Sequence, residues 1–121
     1  MTRSKQATGA HGEQLAAEFL RQKNWEIMMT NWRCPTGEID IIARDGDMMV
    51  FVEVRTRRTA TVDAAFASIT PAKRQKLTAA AYAYLDAHAP DDALWRIDVI
   101  GVALPSGKKP VIQHAEDALD W

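Results

Sequence analysis

The stretch "GEIDIIARDGDMMVFVEVRTR", Gly37 to Arg57, decides how this chain is read. Two apolar runs, about Glu38–Ala43 and Met48–Arg57, flank Asp45-Gly46, a short-hairpin signal. Yet Glu38, Asp40, Glu53 and Arg55 stand among Ile, Val and Phe, where burying a charge is costly. With Asp45 and Gly46 as the loop residues, Arg44 pairs with Asp47, Asp40 with Phe51 and Glu38 with Glu53. Glu38, Asp40 and Ile42 then share a face with Met49, Phe51, Glu53 and Arg55. Ile39, Ile41, Val50, Val52 and Val54 form the opposite, wholly aliphatic face.

In that register Asp40 is the diagonal neighbour of Glu53, roughly 7–8 Å away along the backbone, and the carboxylates can meet at one small cation. Two carboxylates about 5 Å apart repel by roughly 3 kcal/mol at an effective dielectric near 20. Arg55 offsets part of that, and a divalent metal would offset the rest. The competing reading is a cross-strand ladder in which Asp40 and Glu53 pair with Arg55 and Arg57 and do no chemistry.

Working outward, residues 1–8 read as a loose tail and residues 9–121 as one domain. Apolar positions 15, 16, 19 and 20 give a helical stripe over about Ala10–Lys23. "WEIMMTNWR", Trp25 to Arg33, reads as a strand ended by "CPTG". "TRRTATVDAAFAS", Thr56 to Ser68, reads as a loop. "TPAKRQKLTAAAYAYLDAH" is a clear helix with Thr70 as N-cap and Pro71 in its first turn. "WRIDVIGVAL" reads as a strand buried on both faces, and "PVIQHAEDALDW" as a short edge strand and terminal turn. The order α-β-β-β-α-β predicts a mixed sheet of four or five strands flanked by helices.

At 121 residues and 47% hydrophobic content, the chain can bury a core without disulfides or a structural metal. Cys34 is the single cysteine, which favours a reducing compartment and leaves no cysteine-based zinc site within one chain. The N-terminus lacks an apolar secretory core, and no long apolar run spans a membrane. A cytoplasmic location is expected. The net charge of −1 is unevenly spread: Arg55, Arg57, Arg58, Lys73, Arg74 and Lys76 lie between positions 55 and 76 with Asp63 as the one acid. Such a basic strip beside carboxylates suits a phosphodiester, although a solvated face with no partner is the plain alternative.

"GEIDII" followed by "VFVEVRTR" resembles the PD-(D/E)XK nuclease pattern, an acid and then Glu-X-Lys on the next strand. With "HGEQLAAEFL", "NWRCPTGEIDII", "TPAKRQKL" and "WRIDVI" in order, residues 9–103 resemble the YraN-like family of bacterial proteins. That family is similar to archaeal Holliday-junction resolvases. The resemblance implies a restriction-endonuclease-like α/β fold, Mg2+ or Mn2+ as cofactor, DNA (branched DNA included) as partner, and a possible homodimer. It implies that Asp40, Glu53 and Glu13 are metal ligands and that Arg55 stands at the motif's lysine position. Two departures are visible: arginine replaces the commoner lysine, and Asp63-Ala64-Ala65 stands where a glycine is expected.

The chemistry follows from those residue types. Carboxylates plus water suit Mg2+ and leave positions for a phosphate oxygen. Arg55 stays protonated, so it can act on the transition state only electrostatically. Lys73 and Lys76 begin a helix whose positive end adds to their own charge, so they are candidates for DNA backbone contact with Arg57 and Arg58. Asp98 reads as a supporting acid paired with a nearby base. His88 and His114 lie outside any ligand spacing, Cys34 as a small core residue, and Trp25, Trp32 and Trp95 as core. Trp121 could fold back or mark an interface. Two rival functions remain: a non-catalytic nucleic-acid-binding or accessory protein, and a protein-interaction domain using the acidic C-terminal portion.

Overall fold

The computed structural model describes residues 4–118. The elements run α1 (Lys5–Gln22), β1 (Glu26–Cys34), β2 (Gly37–Asp45), β3 (Met48–Arg57), α2 (Asp63–Ala67), α3 (Pro71–His88), β4 (Leu94–Ala103) and β5 (Val111–Ala115). The strands make one five-stranded sheet in the order β1-β2-β3-β4-β5. Neighbours are antiparallel except β3 and β4, which run parallel. A parallel step needs a long crossover, and α2 and α3 provide it. The mixed α/β sheet expected from the sequence is therefore present, with β5 on one edge and β1 on the other.

Local chemistry sets the helix ends. Thr70 accepts from the Lys73 amide at 3.2 Å and Pro71 opens α3, as its N-cap sequence requires. The first helix starts at Lys5, inside the stretch expected as a tail, because Ser4 Oγ accepts from the Ala7 amide at 3.1 Å. Residues 5–10 carry no apolar stripe to announce those early turns. Residues 1–3 and 119–121, with Trp121, lie outside the described residues. The segment Thr56–Ser68, read as a loop, contains the five-residue α2, too short to show a helical period.

Both faces of the sheet are covered. Ala16, Ala17 and Leu20 of α1 pack on Ile41, Ala43, Val50, Val52, Val54, Ile100 and Val102. Leu77, Ala80, Ala81 and Tyr84 of α3 pack on Ile39, Ile42, Met49, Phe51 and Ile97. The face that carries Met49 and Phe51 is thus a second core, and only its far end is left for the charged residues. β4 is buried from Ile97 to Ala103, as a strand with helices on both sides should be.

The hairpin register differs from the expected one. Asp45 pairs with Met48, so Gly46 and Asp47 form the loop, with Gly46 at φ +59° where glycine has no steric penalty. The shift is even, so faces on β3 are kept. Continuing from Ile41↔Val52, the position opposite Glu53 is Asp40, not Glu38. A second difference is that Ile39 packs under α3 while Ile41 packs under α1. Alternation therefore breaks at Asp40, and it breaks on β1 at the facing residue, Asn31, which has φ +53°.

Candidate functional site at the fork between β2 and β3

The β2–β3 ladder stops at Ile41↔Val52, and beyond it the Val54 amide would face no backbone acceptor. The Asp40 carboxylate fills that role: Val54 N–H donates to Asp40 Oδ2 at 2.8 Å. The side chain is thereby fixed in the fork where the two strands part. Glu53 approaches it closely enough for a hydrogen bond between the two acids. Burial, and then the charge and hydrogen bond of Glu53, push the Asp40 carboxyl up to about 8, against the pull of the Val54 amide. The crowding of acids favours either a proton or a cation's charge at this point.

Glu13 reaches the same place from α1. Its pKa is raised by burial and by the charges of Asp40 and Glu38, while a hydrogen bond from Asn31 opposes the rise. The helix can come this close because Gly12 lies on Thr56: a Cβ at position 12 would stand 1.8 Å from Thr56 Oγ1. Glu38 is more peripheral. It pairs with Arg33 on β1 at 3.7 Å, both side chains being exposed.

Arg55 is held from the other side of the sheet. Its Nε donates to Ser68 Oγ at 2.9 Å, and that hydroxyl donates to the Ala65 carbonyl at 2.6 Å. Its Nη1 stands 3.9 Å from Glu53 Oε1. Phe66 anchors this segment by lying on Gly101, where a Cβ would come within 2.8 Å of the ring. Ser68 was not foreseen, since the segment gave no periodic signal; its one clue is position, just before the Thr70 cap.

A cleft of about 540 Å3 is walled by Lys5, Thr8, Gly9, Glu13 and residues 54–58, with Glu13 as its one acid and neither Asp40 nor Glu53 among its walls. It brings Arg55, Arg57 and Arg58 together with Glu13 and adds Lys5. Lys73 and Lys76 are exposed on α3, which packs across the sheet from α1, and they are not among the cleft's walls. Among the described residues, no three His, Cys, Asp or Glu side chains are spaced as a ready metal cage. The donors at the fork are all carboxylate oxygens, and Glu53 stands close enough to Asp40 to raise its pKa. That set fits a hard divalent ion held by one or two carboxylates with water and phosphate, rather than a closed protein cage.

Asp98 lies elsewhere, fully buried under α1. Arg96 donates to it through Nε at 2.9 Å and Nη2 at 3.3 Å, the Asp117 amide donates at 2.9 Å, and His114 Nε2 lies at 2.7 Å. Burial raises its pKa, but the His114, Arg96 and Asp117 hydrogen bonds outweigh burial and leave it lowered. The expected basic partner is therefore present. Lys23 Nζ donates to His114 Nδ1 at 3.0 Å, so Nε2 is the nitrogen that carries the proton toward Asp98. His114 was missed because its partner lies on the neighbouring strand, sixteen residues away.

The fold and site define an α/β protein with a carboxylate cluster and a basic cleft at one fork of a mixed sheet. The chain belongs to the uncharacterised protein family UPF0102, whose model matches residues 12–102; this is the YraN-like family. It is 46% identical to a UPF0102 protein of Roseiflexus castenholzii over 123 aligned residues, covering 99% of this chain and 98% of the relative. A UPF0102 protein of Nocardia farcinica is 46% identical over 113 residues, covering 91% and 87% of the two chains. One from Chloroflexus aurantiacus is 48% identical over 109 residues, covering 89% and 88%. No helix among the described residues is long and apolar enough to cross a membrane.

Proposed function

We propose that the chain is a divalent-metal-dependent nuclease of restriction-endonuclease-like (PD-(D/E)XK) fold that hydrolyses DNA phosphodiester bonds, branched DNA included. The observation that carries this reading is the Asp40 carboxylate, locked by the Val54 amide into the β2–β3 fork against Glu53. Asp40 and Glu53 would hold Mg2+ or Mn2+, with Glu13 completing the set from α1. When bound, the ion supplies Lewis acidity at the scissile phosphate and an activated water.

The chain's own residues do the rest. Lys5, Arg57 and Arg58 line the cleft and bind the phosphates on either side of the cut. Arg55, aimed by Ser68, donates to the phosphoryl oxygens as charge builds on them. Its part is electrostatic stabilisation, not proton transfer. The water oxygen bonds to phosphorus and gives up one proton to bulk water, one phosphorus–sugar oxygen bond breaks, and the leaving oxygen takes a proton from bulk water.

The test is cleavage of labelled junction, flap, duplex and single-stranded DNA with Mg2+ or Mn2+, beside Asp40→Asn and Glu53→Gln. Cutting by the wild type alone supports the site. Equal cutting by the variants points to a contaminant. DNA binding with steep salt dependence but no cutting would move the reading to a nucleic-acid-binding accessory protein.

A further inference from the structure

Asn31 is the one described β1 residue in the left-handed region, at φ +53°. Asparagine tolerates that region better than other residues with side chains, yet a strand has no need of it. Its place in the ladder is specific. Thr30 pairs with Ile41 and Trp32 with Ile39, so Asn31 faces Asp40 across β1 and β2. Both strands lose alternation at this pair: Ile41 lies under α1, whereas Ile39 and Trp32 lie under α3. The turn in β1 thus coincides with the point where Asp40 leaves the sheet plane for the fork. Asn31 also lines, with Glu13 and Thr30, a cleft of about 740 Å3 between α1 and β1, which sets its side-chain amide beside the Glu13 carboxylate, whose pKa it acts to lower.

We infer that Asn31 is a positioning residue of the carboxylate site, its left-handed backbone aiming a side-chain amide that holds Glu13 toward Asp40. The inference rests on the reading of this cluster as a divalent-metal site and adds a residue to it. An amide donor is the fitting group. It is uncharged, so it does not compete with a cation, and it occupies one carboxylate oxygen while leaving the other free. Groups that orient metal ligands in this way typically contribute 10–100-fold in metal affinity.

Mn2+ binding to the full chain, followed by calorimetry, separates the amide from the backbone turn. Asn31→Gly keeps the left-handed conformation without strain and deletes the amide, whereas Asn31→Ala deletes the amide and disfavours the conformation. The expected result is that Asn31→Gly weakens Mn2+ binding by about 10-fold or more, with thermal unfolding confirming an intact fold. In a Glu13→Gln background, the same substitution should change binding no further. Wild-type affinity in Asn31→Gly would overturn the inference, leaving the turn as a backbone feature alone. An equal loss with and without Glu13 would overturn it as well. Failure of the parent reading looks different: the wild type and Asp40→Asn would then bind Mn2+ alike, or not at all.

Discussion

Asp40 and Asp98 are two aspartates drawn into the same sheet, and their surroundings are opposite. Asp98 meets Arg96, His114 and the Asp117 amide, and its carboxyl is held below the ordinary range. Asp40 meets one amide and the acids Glu53, Glu13 and Glu38, and its carboxyl is pushed up to about 8. The first arrangement is complete within the chain and ties β4 and β5 to the end of α1. The second has more acid than base, with Arg55 3.9 Å from Glu53, and carboxyls perturbed in this way mark a candidate functional site. The contrast teaches how to sort buried acids: by what their remaining lone pairs meet, not by burial.

The largest effect should come from breaking the complete site. Asp98→Ala strands Arg96 and His114 inside the protein and should cost about 3–5 kcal/mol in urea unfolding. A loss under 1 kcal/mol would mean that the network is ornamental. Next is Gly12→Ala, whose Cβ would meet Thr56 Oγ1 at 1.8 Å. Overpacking of this kind costs about 1–3 kcal/mol, and helix propensity returns at most about 1. The same variant should also weaken divalent-ion binding, because α1 carries Glu13 away from the fork.

Asp40→Asn should go in the other direction and leave the metal-free protein as stable as the wild type or more so, a gain of about 1–3 kcal/mol at pH 8. The sign follows from linkage. Asp40 has a folded pKa above its unfolded one, so between about pH 4 and 8 the folded chain binds more protons there. Its contribution is therefore present at low pH and lost as pH rises through that window. Asp98, with a lowered folded pKa, is constant over the same window and loses its contribution only as pH falls below it. Melting temperatures from pH 5 to 8 should thus fall in the wild type and flatten in Asp40→Asn. A smaller effect is expected from Ser68→Ala, which frees Arg55: turnover should drop several-fold, the loss of about 1 kcal/mol for one hydrogen bond, while ion affinity is unchanged.

Much of this comparison was legible in the sequence. The hairpin, the strand buried on both faces and the α3 cap follow from turn residues, apolar runs and Thr70-Pro71, all local signals. The gathering of Asp40 and Glu53 survived an error in register, because a two-residue shift keeps the faces on β3. What alternation could not show is the break at Asn31 and Asp40, since one left-handed residue reverses the pattern without changing composition. The Ser68–Arg55 and Asp98–His114 contacts were hidden for another reason: they join elements whose adjacency exists only after the sheet forms.

The most direct measurement is the proton count on adding Mn2+ or Mg2+ at pH 7, by calorimetry in two buffers of different ionisation enthalpy. A cation entering the fork competes with the proton that a carboxyl raised to about 8 favours on Asp40 at pH 7, so about one proton should be released per ion bound. Asp40→Asn should release none. Tight binding without proton release, or no binding by the folded wild-type chain, would contradict the account.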